Sequence, residues 1–421
     1  MVVGRLVGRL GPQHLLGLAR HMAGNHEFLV TPGERLTQRQ FFARVDALAA
    51  GLQLLGAHKG DSIAALLPPC AEAAYALFLP WVLGTVEVPL DPAMPEEGLH
   101  QALAETRTKF VLTTRDWQGR DPAATVARLR RDLPALRYVL AKSSDRQENA
   151  AYSIEGLMGS GTSLWRARVS SKEEGRVAYP GGGGPLRGIV HSRGAYWRLA
   201  CREAQARLDP AAFRCLLVAF PLHTYAGWLG MMAALLAGGK VVLAESPRPV
   251  HLLELVEREG VTLIAGTPGM YQALLEEAAD GRYRLASLKR AVVAGPCPPA
   301  LARAIVERLG CPLVGLYARE ECGLISWTAP EDPPERAATA GRPVPGVEVR
   351  IVDGRRAPLP PGRQGEVAVR SPQMMAGYLG APEATAAVLD REGWFYTGDV
   401  GWVGDDGLLR LCRSFSPRPS L

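Results

Sequence analysis

The stretch Gly393 to Gly407 reads GWFYTGDVGWVGDDG, and its Asp399 has the clearest chemistry in this sequence. A carboxylate on a tight Thr-Gly-Asp turn accepts from two hydroxyls at once, so it suits a vicinal diol such as that of a ribose. A lone TGD would ordinarily be a plain β-turn; the flanking GWF and DDG argue for the diol. The run Gly181, Gly182, Gly183, Gly184 is a second candidate, because successive backbone amides can form a nest for an anion. By itself it reads equally as a flexible loop, and Pro180 ahead of it offers no N–H. The six lysines end at Lys289, so no step that needs a lysine from the last third of the chain can run. Seven cysteines are scattered without a C-x-x-C pair, which excludes a disulfide framework and a zinc site and points to a reducing, cytoplasmic setting.

The elements that must position these residues alternate. Leu36 to Leu55 has helical spacing, with Thr37 placed to cap it. Asp61 to Leu67, Val86 to Leu90 and Phe110 to Thr113 read as buried strands, and a helix is predicted over Ala71 to Leu83. After a Gly/Ser-rich surface crossover from Ser143 to Gly175, strands recur at Cys215 to Phe220, Lys240 to Ala244, Val261 to Ala265 and Arg290 to Ala294. The expected fold is α/β, with two stacked subdomains of mostly parallel sheet over about residues 1–170 and 171–334. Short strands among Gly/Pro turns predict a small β-barrel over 335–412, and 413–421 a frayed tail. The basic N-terminus reads as a first helix, and Gly227 to Gly239, too short to span a membrane, as a buried one. The net charge of +6 is spread along the chain without basic–aromatic stripes, which excludes a nucleic-acid partner but suits anions such as nucleotides, coenzyme A or an acidic carrier protein.

Several segments, in order, resemble the large N-terminal region of the adenylate-forming superfamily, which includes acyl-CoA synthetases, aryl-CoA ligases and peptide-synthetase adenylation domains. Besides the Asp399 segment, these are Val261 to Tyr271 (VTLIAGTPGMY), Ala294 to Pro299 (AGPCPP), Gly341 to Gly346 (GRPVPG) and Pro361 to Glu366 (PGRQGE). The resemblance spans about residues 25 to 412. It implies an acyl pocket around Trp228, Thr267, Met270, Gly295 and Tyr317, and a nucleotide site at Gly181 to Gly184, Arg187, Tyr317, Glu321 and Asp399.

The sequence also departs from the family pattern. The phosphate loop, Tyr179 to Gly188 (YPGGGGPLRG), has lost its serine and threonine hydroxyls, and Arg187 stands where the family has lysine. Tyr317 to Glu321 (YAREE) keeps the tyrosine and the magnesium-binding glutamate, but Glu320 replaces threonine and would repel phosphate. In Pro221 to Gly227 (PLHTYAG) the family histidine is shifted to His223 or lost to Thr224. No Gly-Arg hinge follows Leu409 to Arg413, and the C-terminal lid with its bridging lysine is expected to be absent.

These losses lead to the expectation of an ATP-independent acyltransferase, with no metal and no use of ATP or Mg. It would move an acyl group, aryl such as anthraniloyl, from a CoA thioester to the phosphopantetheine thiol of an acyl carrier protein that primes polyketide biosynthesis. His223 or Glu321 would serve as base in a direct transfer, and Cys297 or Cys322 as nucleophile in a covalent one. Each cysteine reads equally as a small packing residue, and His223 as a satisfied pocket histidine. The alternatives are an acyl- or aryl-CoA ligase, slow or completed by a partner lid, and a non-catalytic binding protein.

Overall fold

Short β-branched and leucine-rich runs build two open sheets, and the intervening helices cover them. The computed structural model describes residues 24–142, 153–161, 163–180, 185–195 and 210–412, together with Gly17, Arg20 and His21. In the seven-stranded sheet, strands Ser62–Leu66, Val86–Pro89, Phe110–Thr114 and Tyr138–Lys142 run parallel. Glu174–Ala178 and Ile189–Ser192 complete it, so this unit runs past the expected boundary near residue 170. A distant strand, Gly377–Tyr378, pairs onto its edge.

The nine-stranded sheet centres on the parallel strands Cys215–Val218, Lys240–Leu243, Leu263–Gly266, Arg290–Ala294 and Leu313–Arg319. Glu27–Val30 pairs parallel with Lys240–Leu243, so the first strand of the chain joins the second sheet. The small β unit expected after residue 335 is a four-stranded antiparallel sheet made of Glu348–Val352, Gly365–Arg370, Phe395–Val403 and Leu409–Leu411.

Local chemistry accounts for most of the boundaries. Thr37 and Gln40 form a capping box that starts the helix Gln38–Leu54. The single helix expected over Ala71 to Leu83 is two, Ala71–Ala76 and Leu79–Val82, because Pro80 has no N–H to continue the first. Within the expected crossover, Ser153 caps a helix at Ile154–Ser160 that was not anticipated. It packs against Gln38–Leu54 so closely that a Cβ on Gly51 would lie 2.5 Å from Leu157. Among the described residues no helix is long and apolar enough to cross a membrane. The six described cysteines are all free.

One ionic cluster ties the first strands to the nine-stranded sheet. The carboxylate of Glu259 accepts from Arg35 at 2.8 and 3.0 Å and from Lys240 at 3.1 Å. The Arg35 hydrogen bonds, aided by Lys240 and Arg258, lower its pKa from 4.5 to about 2. Because the folded value is the lower one, this stabilisation is complete above the unfolded value and is lost as pH falls from 4.5 towards 2. Melting temperatures measured between pH 2 and pH 6 are therefore expected to fall less steeply for Glu259→Gln than for the wild type over that acid limb. Parallel curves would contradict the assignment.

Candidate active site

Strand Leu313–Arg319 runs beneath the antiparallel strand Phe395–Val403, and between them they bring the motif carboxylates together. The Thr-Gly-Asp segment is a bulge inside the second strand, not a free turn: pairing with Gly365–Arg370 shifts by two residues across it, and Gly398 has φ +77°. The Thr397 hydroxyl donates to the Val367 carbonyl at 2.8 Å, and the Gly398 N–H donates to Glu366 at 2.8 Å. These bonds hold the buried Asp399 so that its Oδ2 accepts the Tyr317 hydroxyl at 2.6 Å. Burial first, then Asp399, pushes the Tyr317 phenol well above its usual range, so it remains a donor.

Arg319 lies between the two acidic groups. Its Nη1 is 3.5 Å from both oxygens of Asp399, and its Nε is 3.6 Å from Glu321 Oε2. Burial opposes its charge, but Glu321 and Asp399 together raise its pKa. The Tyr378 hydroxyl donates to Glu321 Oε1 at 3.3 Å, and the Arg187 guanidinium lies over the Tyr378 ring with 5.5 Å between centres. Tyr317, Arg187, Glu321 and Asp399 therefore form one connected cluster with Arg319. Gly181, Gly182, Gly183 and Gly184 lie outside the described residues.

Two cavities are lined from the strand Leu313–Arg319, one of them by Tyr317 of this cluster. The polar one, about 290 Å³, is lined by Gly295, Cys297, Tyr317, Ala340, Trp402 and Arg410 among others. The apolar one, about 60 Å³, lies between the helix Tyr225–Ala237 and the nine-stranded sheet. Small residues leave its space: Ala226, Gly230 and Ala233 on the helix, Ala265 and Ala294 on the strands. Leu316 lines both cavities.

The residues of the expected acyl pocket do not share one cavity in the structure. Leu316 and Tyr317 point to opposite faces of their strand, so Tyr317 reaches only the polar cavity. Gly295 lines that cavity too. Trp228 is on the wrong face of its helix, buried and stacked on Tyr225 with ring centres 6.2 Å apart. Thr267 is the N-cap of the helix Pro268–Glu277, and Met270 packs over Gly266. The lining of the apolar cavity was not legible in the sequence, because alanines and glycines at helical spacing look like ordinary packing.

The structure gives His223 and Glu320 the following partners. Thr224, at the family's histidine position, caps the helix Tyr225–Ala237, accepting from Gly227 at 3.2 Å. His223 Nε2 is 3.9 Å from Asp91, and its carbonyl accepts from Arg176 at 2.7 Å. Burial lowers the His223 pKa, with Asp91 acting against the shift and Arg176 with it. Glu320 is held by the helix that follows Thr224. Its carboxylate accepts the Tyr225 N–H, where a helix N-terminus favours negative charge, and its carbonyl lies 2.7 Å from Nε2 of buried His191.

Neither cysteine has the setting of a nucleophile. Cys322 is fully buried and Cys297 nearly so, and burial pushes the Cys297 thiol up to about 11 and the Cys322 thiol well above the ordinary range. Substituting either by alanine is expected to cost on the order of 1 kcal/mol of stability and to leave the turnover rate unchanged. Loss of turnover in a folded Cys297→Ala protein would reverse this reading.

Residues 18–379 match the family described as AMP-binding enzyme. A feruloyl-CoA synthase from Amycolatopsis sp. is 33% identical over 390 residues, 90% of this chain and 73% of that protein. A salicylyl-CoA synthase/salicylate adenylyltransferase from Streptomyces sp. is 29% identical over 408 residues, 91% of this chain and 73% of that protein. Among solved structures, an anthranilate CoA ligase in complex with anthranoyl-AMP superposes with a TM-score of 0.88 at 22% identity, covering 98% of this chain and 79% of that one.

Two expectations are overturned by these relatives. Transfer without ATP finds no counterpart among proteins named as CoA synthases and as an adenylyltransferase, and exclusion of ATP and magnesium conflicts with the AMP-binding family.

Proposed function

The chain belongs to the AMP-binding enzyme family, and on that premise we propose that it is an acid–CoA ligase acting on small aromatic carboxylic acids. The reaction has two stages. The carboxylate attacks the α-phosphorus of ATP, giving an acyl-adenylate and pyrophosphate; the thiol of CoA then displaces AMP, leaving the thioester.

The observation that carries this reading is the pair of cavities sharing Leu316, one apolar and one lined by Tyr317 at the acidic cluster. An aryl group in the first would present its carboxylate at the Ala294–Gly295 corner, beside the second. Asp399 is proposed to accept the ribose hydroxyls, with the Tyr317 phenol orienting it, and Tyr317 and Gly295 to wall the base. The polar cavity's 290 Å³ suits a nucleoside better than the apolar cavity's 60 Å³, and the latter must open towards the roughly 150 Å³ that takes up benzene before it admits a ring. The aromatic acids named for the relatives agree in kind.

Glu321 is the residue proposed to hold magnesium. Among the described residues no group of three or more His, Cys, Asp or Glu could hold a metal ion by itself; magnesium commonly binds through one or two carboxylates together with substrate phosphates. When bound, magnesium neutralises charge on the phosphates. With no serine or threonine in the Tyr179 to Gly188 stretch, and the Tyr179 hydroxyl engaged with Glu105 at 3.0 Å, turnover is proposed to be slow.

The test is to incubate the full chain with ATP, magnesium, CoA and single acids from benzoate, aminobenzoate, cinnamate and octanoate series. AMP is quantified and acyl-CoA identified by mass, with a phosphopantetheinylated carrier protein as a second acceptor. Formation of AMP and thioester with an aromatic acid is the expected result. Absence of AMP with every acid, together with no rise in melting temperature from ATP or any acid, would reject the reading.

A further inference from the structure

Arg319 is the cluster residue to which the resemblance assigns no role, and its position raises a question of competition. Asp399 is proposed to accept a ribose diol and Glu321 to face the phosphates, yet one guanidinium touches both. Charge-assisted hydrogen bonds normally close to about 2.7–2.9 Å, whereas the contacts of Arg319 are 3.5 and 3.6 Å, so it is shared between two partners and clamped to neither. Its side chain is 26% exposed and so open to solvent, while both carboxylates are only 11% exposed.

A neutral ligand that takes Asp399 must compete with Arg319 and leaves the guanidinium with a weaker partner. A ligand that also brings a phosphate replaces the lost carboxylate with an anion of matching geometry, since a guanidinium binds carboxylate and phosphate in the same forked manner. No lysine follows Lys289, so a permanently cationic side-chain contact to phosphate from positions 290–421 falls to arginine. Arg187 is engaged over Tyr378, on the far side of Glu321.

We propose that Arg319 is a specificity-determining residue of the nucleotide site: it pairs with Asp399 and Glu321 when no nucleotide is bound, and turns to the phosphate of the ligand when one is, so that the site admits nucleotides and discriminates against nucleosides. This rests on the reading of the cluster as a nucleotide site and adds to it the residue that selects for charge.

Calorimetric titration of the full chain with adenosine, AMP and MgATP, for the wild type, Arg319→Gln and Arg319→Lys, tests it without reference to turnover. The wild type is expected to bind AMP at least about tenfold more tightly than adenosine, the scale of one charge-assisted contact. In Arg319→Gln that preference should collapse from both sides, with AMP weakened and adenosine unchanged or tighter because Asp399 is released. Arg319→Lys should keep part of it.

A wild-type preference that survives in Arg319→Gln overturns the proposal while leaving the nucleotide site intact. Equal weakening of adenosine and AMP also overturns it, since that is what a purely structural arginine would give. If Arg319→Gln does not fold, the wild-type ratio and Arg319→Lys decide: no AMP preference, or one unchanged by lysine at elevated salt, counts against it. Failure of the wild type to bind any of the three ligands removes the nucleotide reading itself, and the proposal with it.

Discussion

Gly230→Leu is expected to lower turnover of aromatic acids by at least about 100-fold, comparable to removing a principal transition-state contact, at a cost of about 1–3 kcal/mol in stability for overfilling the cavity. Gly230 faces the apolar cavity from the middle of the helix Tyr225–Ala237. A Cβ there would sit 3.4 Å from Leu216 and 3.6 Å from Val218, ordinary contact distances, so the backbone accepts a side chain while the cavity loses its space. Glycine inside a helix costs about 1 kcal/mol relative to alanine, so Gly230→Ala should raise stability and chiefly raise KM for ring-bearing acids. Turnover of aromatic acids by Gly230→Leu at the wild-type rate would place the acyl group elsewhere.

Glu87→Ala is expected to destabilise the fold by about 3–5 kcal/mol, the cost of leaving a buried charge without its partner. Glu87 and Arg176 face each other on adjacent parallel strands, both side chains no more than 5% exposed, with 2.9 Å between Oε2 and Nη1. Burial raises the Glu87 pKa and Arg176 opposes that shift, so the pair persists only because each supplies what water no longer does. The double substitution Glu87→Met with Arg176→Met should recover most of the loss, because replacing both charges removes the desolvation penalty along with the attraction. Arg176 also donates to the His223 carbonyl, so the double variant is expected to keep its fold yet position the Pro221 to Gly227 segment less well. Denaturant melts of both variants measure the first effect, and KM for the acid the second. A double variant as unstable as the single one would show that the pair is not the source of the cost.

The legible part of the site was local. Asp399, Tyr317 and Glu321 stood in short runs whose spacing survives folding, and the structure places all three in one cluster. The helix around Gly230 and the strand carrying Glu87 were likewise readable from apolar periodicity. Arg319 was passed over because its partners are Glu321, two residues away, and Asp399, eighty residues away; only strand packing shows that both face it. Trp228, Thr267 and Met270 were assigned to the acyl pocket because they are large or near the right motif. The cavity is instead made by residues too small to attract notice, from positions 226 to 294 across a helix and two strands.

Amino-acid order alone determined the α/β class, most of the strands, the capping at Thr37 and the family, since each depends on interactions within a few residues or on short motifs. Tertiary structure decided which side chains share a cavity, that Glu320 serves a helix N-terminus, and that Glu27–Val30 extends the second sheet. Those outcomes depend on the facing of surfaces far apart in the chain, where a one-residue change in direction turns a pocket residue into a core residue.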